Sequence, residues 1–113
     1  MGYKDRDSLK DILDAVRLVQ SFVQDIGQDT FNGDDMRQSA VIRQLEIIGE
    51  ATKRLSPELR AGHPAILWED MAGMRDILIH AYDHLNLNLI WNTATVHVPD
   101  LIRQIEPLMP SDE

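Results

Sequence analysis

No cysteine occurs among the 113 residues. That excludes a disulfide framework, a thiolate metal centre and a cysteine nucleophile. Aromatic side chains make up only 5% of the chain, fewer than a protein that stacks single-stranded bases usually carries. Glycine and proline are sparse, at six and five, which suits helices better than a β-sandwich or barrel. Basic residues are outnumbered 11 to 19, for a formal charge of −8. A protein that grips long nucleic acid non-specifically is usually basic. Any nucleic-acid role here is therefore local to a cleft, and the negative charge suits a basic protein partner. No apolar run approaches the ~18 residues of a membrane span. The N-terminus, MGYKDRDSLKD, is charged and lacks the apolar core of a signal peptide. A soluble, cytoplasmic protein with no membrane contact is the expectation. No stretch sustains the period-two alternation of a strand. The length fits one domain, residues 1–113, able to bury a core.

The apolar residues that are present recur with helical spacing. Leu9, Ile12, Leu13, Val16, Val19, Phe22, Val23 and Ile26 predict a first helix from about Asp7 to Gln24, capped by Asp7 or Ser8. GQDTFNGDD, 27–35, reads as a loop. A second helix is expected from Asp34 or Asp35 to Leu55, with Val41, Leu45, Ile48, Thr52 and Leu55 on one side. Ile42 and Gly49 lie on a neighbouring side, and Gly49 admits a second backbone. Apolar residues on two sides suggest that this helix faces its own core and another subunit. Ser56-Pro57 ends it, and 56–66 reads as a connector. A third helix is expected from Trp68 or Glu69 to Tyr82, with Met71, Met74, Leu78 and Ala81 buried. DHLNLN, 83–88, reads as a break with Asn86 or Asn88 as the next cap. A last helix runs from about Leu89 toward Leu108, interrupted at Pro99, and the tail PSDE frays. The sum is an all-α up-and-down bundle of four to five helices.

One stretch of the third helix holds more chemistry than a core helix needs. GMRDILIHAYDHLN, 73–86, carries Arg75, Asp76, His80 and Tyr82. Asp76 and His80 are four apart and stack on one helix face, so the carboxylate can fix the imidazole tautomer and raise its basicity. Arg75 and His80 are five apart, about 140° around an ideal helix. Reach of the arginine, a distorted helix or residues pooled by two subunits would each unite them, and the last two in combination are preferred. A histidine that titrates near neutrality and a permanently charged guanidinium suit attack of a ribose 2′-hydroxyl on the adjacent phosphate. A two-fold dimer would bring two histidines, one as base and one as acid. On spacing alone, a salt-bridged Arg75–Asp76 surface patch beside an ordinary polar histidine accounts for the same residues.

The wider context is more specific. QLEIIGEATKRL, HPAILWEDMAGMRDILIHAYDHLNLNLIWNTA and VPDLIRQI resemble the HEPN superfamily, in particular the HepT-like ribonuclease toxins of type II toxin–antitoxin modules. The resemblance covers nearly the whole chain. The family motif is Arg, four to six residues, His, one residue and Tyr, and it stands here as Arg75-Asp-Ile-Leu-Ile-His80-Ala-Tyr82. The resemblance implies a homodimer in which Arg75 and His80 line a cleft at the interface and cut RNA without a metal, with Asp76 in support. It implies a cognate nucleotidyltransferase antitoxin of the MntA type that silences the toxin by adding AMP to Tyr82. ATP and magnesium would serve that partner, so this chain would need no cofactor. Phosphates beside Arg75 and His80 would occupy the site and repel RNA.

Other residues have plainer readings. His80 and His84, near Asp76 and Asp83, have metal-ligand spacing, but two histidines need further ligands, so no metal site is assigned. His63 reads as a solvated loop residue, and His97 receives no role. Glu46 and Glu50 stack four apart, but Lys53 and Arg54 are within reach as ordinary partners, so neither enters the site. Trp68 and Trp91 read as core or interface anchors. Two rival functions remain. One is a non-catalytic helical module that docks on a nucleotidyltransferase and presents a nucleotide or substrate to it. The other is a purely structural bundle.

Overall fold

The apolar stripe of the first helix is what the rest of the fold is built on. The computed structural model describes the backbone of residues 2–83 and 86–109, and the side chains of all of these except Tyr3 and 77–83. Helix α1, Tyr3–Val23, buries Leu9, Ile12, Leu13, Val16, Val19 and Val23. Each such burial contributes about 1.5–3 kcal/mol. The helix starts four residues before the expected Asp7. Neither Asp7 nor Ser8 caps it, because the chain is already helical there and Ser8 is buried.

The segment read as a loop contains a short helix, α2, Gln28–Asn32. Five residues do not hold a helix by propensity. Phe31 holds this one: it is fully buried, and its ring packs against Trp91 at a centroid distance of 5.3 Å. Helix α3, Asp35–Lys53, begins on the carboxylate of Asp34, which accepts the Arg37 N–H at 3.0 Å. Its start lies by the end of α1, where the Arg37 guanidinium donates to the Phe22 carbonyl. Just beyond its other end, Ser56 bonds to Asp5 in the first turn of α1, so the two helices are antiparallel. Val41, Leu45, Ile48 and Thr52 are buried as the spacing predicts. On its second apolar side, Gly49 meets α5 of this same chain. Helix α3 packs against both α1 and α5.

Ser56-Pro57 does not simply stop a helix. It starts one, α4, Pro57–Gly62, with the Ser56 hydroxyl accepting the Leu59 N–H at 3.2 Å and Pro57 in the first turn. Helix α5 runs Trp68–Asp83 and α6 runs Leu87–Asn92. Asn86 caps α6, as expected, by accepting the Leu89 N–H at 3.1 Å. The next five residues, Thr93–His97, form a π-helical turn, and α7 follows at Val98–Ile105 before a short 3₁₀ turn, Glu106–Leu108. Pro99 explains the wide turn. It has no N–H to donate, and its ring crowds the carbonyl four residues back. The chain widens before Pro99 instead of breaking.

The four rods are therefore α1, α3, α5 and the α6–α7 composite, in up-and-down order, with α2 and α4 in the connectors. Ile90, Ala94, Val98, Leu101 and Ile105 bring the last rod into the same core as α1. Among the described residues, no helix is long and apolar enough to cross a membrane. Residues 84–85 of the expected break, and the PSDE tail, lie outside the described residues.

Candidate active site

Helix α5 carries the Arg–His–Tyr stretch, and its first two turns are firmly anchored. Trp68 is buried, and its indole N–H donates to the carbonyls of Arg60 at 3.1 Å and His63 at 3.0 Å. Trp68 is thus a core anchor of this chain, and the His63 carbonyl takes part in holding it. Met71, one turn on, is also buried. Arg75 follows one turn after Met71.

At that height α3 and α5 make a very close approach. A Cβ built on Gly49 would stand 3.2 Å from the Arg75 backbone nitrogen, 3.3 Å from the Arg75 Cβ and 3.4 Å from the Met71 carbonyl oxygen. Only glycine, with no side chain, fits there without a shift. The expectation that Gly49 admits a second backbone is met, and the backbone it admits is that of Arg75.

The next residue on α3 reaches the same arginine. A carboxylate oxygen of Glu50 lies 3.5 Å from one terminal nitrogen of the Arg75 guanidinium. The two side chains are 38% and 46% exposed, so water screens the pair and its contribution to stability is at most about 1 kcal/mol. A guanidinium has five N–H donors, and among the described residues Glu50 is the one acid paired with it. Glu46 is engaged elsewhere, 3.6 Å from Arg43. Arg54 pairs with Asp11 of α1 at 3.3 Å. The own-helix partners expected for Glu50, Lys53 and Arg54, are thus replaced by a cross-helix partner. The Arg75–Asp76 pair that the plainer alternative would need is not found among the described residues, where Arg75 pairs with Glu50. Sequence reasoning left Glu50 out, and it is the cross-helix pair with Arg75 that brings it to the site.

Asp76 is exposed beside Arg75. His80 and Tyr82 follow on the same helix. Their side chains lie outside the described residues, as do His84 and the metal reading that rested on it. Helix α5 is α-helical from Trp68 to Asp83, without the distortion that would draw Arg75 and His80 together. Between α5, the π turn and α7 lies a concavity of about 350 Å³, walled by Leu67, Met71, Met74 and Leu89. Its polar lining is mixed: the acids Asp70 and Asp100 stand with His97, and Asp100 is paired with Arg103.

The chain matches the family model described as ribonuclease HepT-like over residues 12–108. It belongs to the HepT-like ribonuclease family. A protein of Thermococcus cleftensis named "Probable ribonuclease HepT" is 42% identical over 91% of this chain and 94% of its own length. Proteins named "Putative RNase" are 36% identical in Caldanaerobacter subterraneus, over 96% of both chains, and 39% identical in Methanocaldococcus jannaschii, over 96% of this chain and 89% of the relative. No solved structure gives a significant match. The HepT-like match takes in α3, α5 and α7 entire, and with them Gly49, Glu50 and the whole stretch from Arg75 to Tyr82.

Proposed function

We propose that this chain is the toxin of a type II toxin–antitoxin module and acts as a metal-independent endoribonuclease. The observation that carries the reading is Arg75: a half-exposed guanidinium seated where α3 and α5 touch, with His80 five residues further along the same helix, in a HepT-like ribonuclease chain. The 2′-hydroxyl oxygen of the substrate attacks the adjacent phosphorus, and the bond from phosphorus to the 5′-oxygen breaks. The products are a 2′,3′-cyclic phosphate and a free 5′-hydroxyl. Arg75 holds the phosphate and stabilises the charge that develops on its oxygens. His80 accepts the 2′-hydroxyl proton or donates a proton to the leaving oxygen. Asp76, one turn before His80, orients the imidazole.

A homodimer supplies the second histidine, so that one acts as base while the other acts as acid. It also answers the 140° divergence of Arg75 and His80 on a regular helix, because each half-site draws on both subunits. Control falls to a neighbouring nucleotidyltransferase of the MntA type, which uses ATP and magnesium to place AMP on Tyr82 and releases pyrophosphate. The added phosphates fill the site beside Arg75 and repel RNA. An RNA substrate and an ATP-using partner make the cytoplasm the place of action.

The test is RNA cleavage in EDTA together with intact mass, on protein made alone and co-expressed with the neighbouring nucleotidyltransferase. Cleavage by the lone protein should fall about 10²–10⁴-fold in Arg75→Ala and His80→Ala. Co-expression should add AMP mass that Tyr82→Phe prevents. A lone wild type that cuts nothing and carries no added mass would instead favour a non-catalytic module that docks on the nucleotidyltransferase.

A further inference from the structure

The geometry points to Gly49 and Glu50 as the positioning residues for Arg75, a role that rests on the proposed ribonuclease reading. Arginine has a long, flexible side chain, and a phosphate clamp works only when its donors are held near the productive geometry. Two adjacent residues of α3 supply that restraint from opposite ends of the side chain. Gly49 sets the root, because its missing side chain leaves the room that the Arg75 backbone takes up: a Cβ there would stand 3.2 Å from the Arg75 nitrogen and 3.3 Å from its Cβ. Glu50 sets the tip, with a carboxylate oxygen 3.5 Å from one guanidinium nitrogen.

Water screens the pair, so its weight lies in where it draws the guanidinium and not in stability. The division of labour on α3 supports this. Glu46, one turn earlier, turns to Arg43 of its own helix, and Glu50 alone of the two crosses to α5. Among the described residues the carboxylate pairs with one terminal nitrogen, and a guanidinium carries further N–H groups that can serve a phosphate. Glu50 therefore acts through Arg75 and does not itself touch RNA.

The experiment measures kcat and KM separately for a labelled single-stranded RNA, with thermal melting as a check on folding. The variants are Glu50→Gln, Glu50→Asp, Arg75→Lys, His80→Ala and the Glu50→Gln/Arg75→Lys double. Glu50→Gln is expected to lower kcat about tenfold with KM within about twofold, because orientation matters most in the transition state. Glu50→Asp should recover part of the loss. On the Arg75→Lys background Glu50→Gln should add nothing, since residues that act through one another are non-additive. If Arg75→Lys is inert, the decision rests on Glu50→Gln and Glu50→Asp alone. Unchanged kcat in Glu50→Gln overturns the inference, as does an equal loss on both backgrounds. A gain in activity overturns it too, because Glu50 would then be competing with phosphate. Arg75→Lys and His80→Ala that both cleave like wild type would sink the site reading itself, a result that cannot be confused with a Glu50 failure.

Discussion

The carboxylate of Asp5 closes the gap between the first turn of α1 and the start of α4, accepting the Ser56 N–H at 2.8 Å and the Ser56 hydroxyl at 2.6 Å. Fifty-one residues separate the two in sequence. Ser56 in turn caps α4, so one buried acid fixes the position of a second helix start.

Asp5→Asn should therefore destabilise the fold by about 1–3 kcal/mol, because it weakens an ionised acceptor that serves two donors. Chemical denaturation of the variant at neutral pH measures this. Hydrogen bonds from the Ser56 hydroxyl, then from its backbone, hold the Asp5 carboxyl below its ordinary range. The Arg37 N–H does the same for Asp34 at the start of α3. A carboxyl whose pKa is depressed by folding stabilises the fold above its unfolded pKa, near 4, and loses that stabilisation as pH falls through the lowered folded value. Melting temperature should stay level from neutral pH down to about 5 and fall below about 4. The fall should be shallower in Asp5→Asn.

Gly49→Ala sets two effects against each other. Alanine is the better helix former by about 1 kcal/mol. The new methyl, however, meets a backbone nitrogen and a carbonyl of α5, neither of which can swing aside like a side-chain tip. Such crowding costs about 1–3 kcal/mol, so a lower melting temperature is expected. Gly73, whose added Cβ would meet nothing, is the control, and Gly73→Ala should leave stability equal or higher.

Phe31→Ala should cost about 3–5 kcal/mol, the range for emptying a fully buried aromatic site. The loss removes the only fully buried side chain of α2 and the ring partner of Trp91. Hydrogen exchange should then show α2 opening well before α1 and α3. Uniform exchange across the three helices would contradict that order.

Asp25 turns the chain out of α1 with φ of 62°, the left-handed region. Aspartate tolerates this better than most residues, and glycine better still. Asp25→Gly is expected to gain about 0.5 kcal/mol and Asp25→Val to lose more than about 1 kcal/mol. Urea midpoints in the order Gly, Asp, Val test the strain directly.

What the sequence makes legible is whatever repeats. The stripe from Leu9 to Val23 and the Val41–Leu45–Ile48–Thr52 series span several turns, so their period declares both the helices and their buried sides. Helices α2 and α4 are shorter than two turns and show no period. Their glycine, aspartate and proline content reads as turn chemistry, and Ser56-Pro57 serves equally as a stop or a start. The Arg75–Tyr82 motif is legible as a pattern of residue types. Glu50 is not, because spacing rules see partners on the same helix and its partner stands on another. The same holds for Asp5, whose role depends on a residue fifty-one positions away.

The wide turn at Thr93–His97 does more than tolerate Pro99. In a regular α-helix a contact repeated every four residues drifts by about 40° each time. Ile90, Ala94 and Val98 repeat at just that interval, yet all three are buried. A turn closed by longer i→i+5 bonds takes in more residues per revolution and cancels much of the drift. The π segment is in effect a phase correction between two gears: it lets α7 present Val98, Leu101 and Ile105 to the core that Ile90 has already entered. Wound as a regular α-helix with no residue removed, the same eight steps from Ile90 to Val98 would overshoot two turns by about 80° and carry the far half out of mesh.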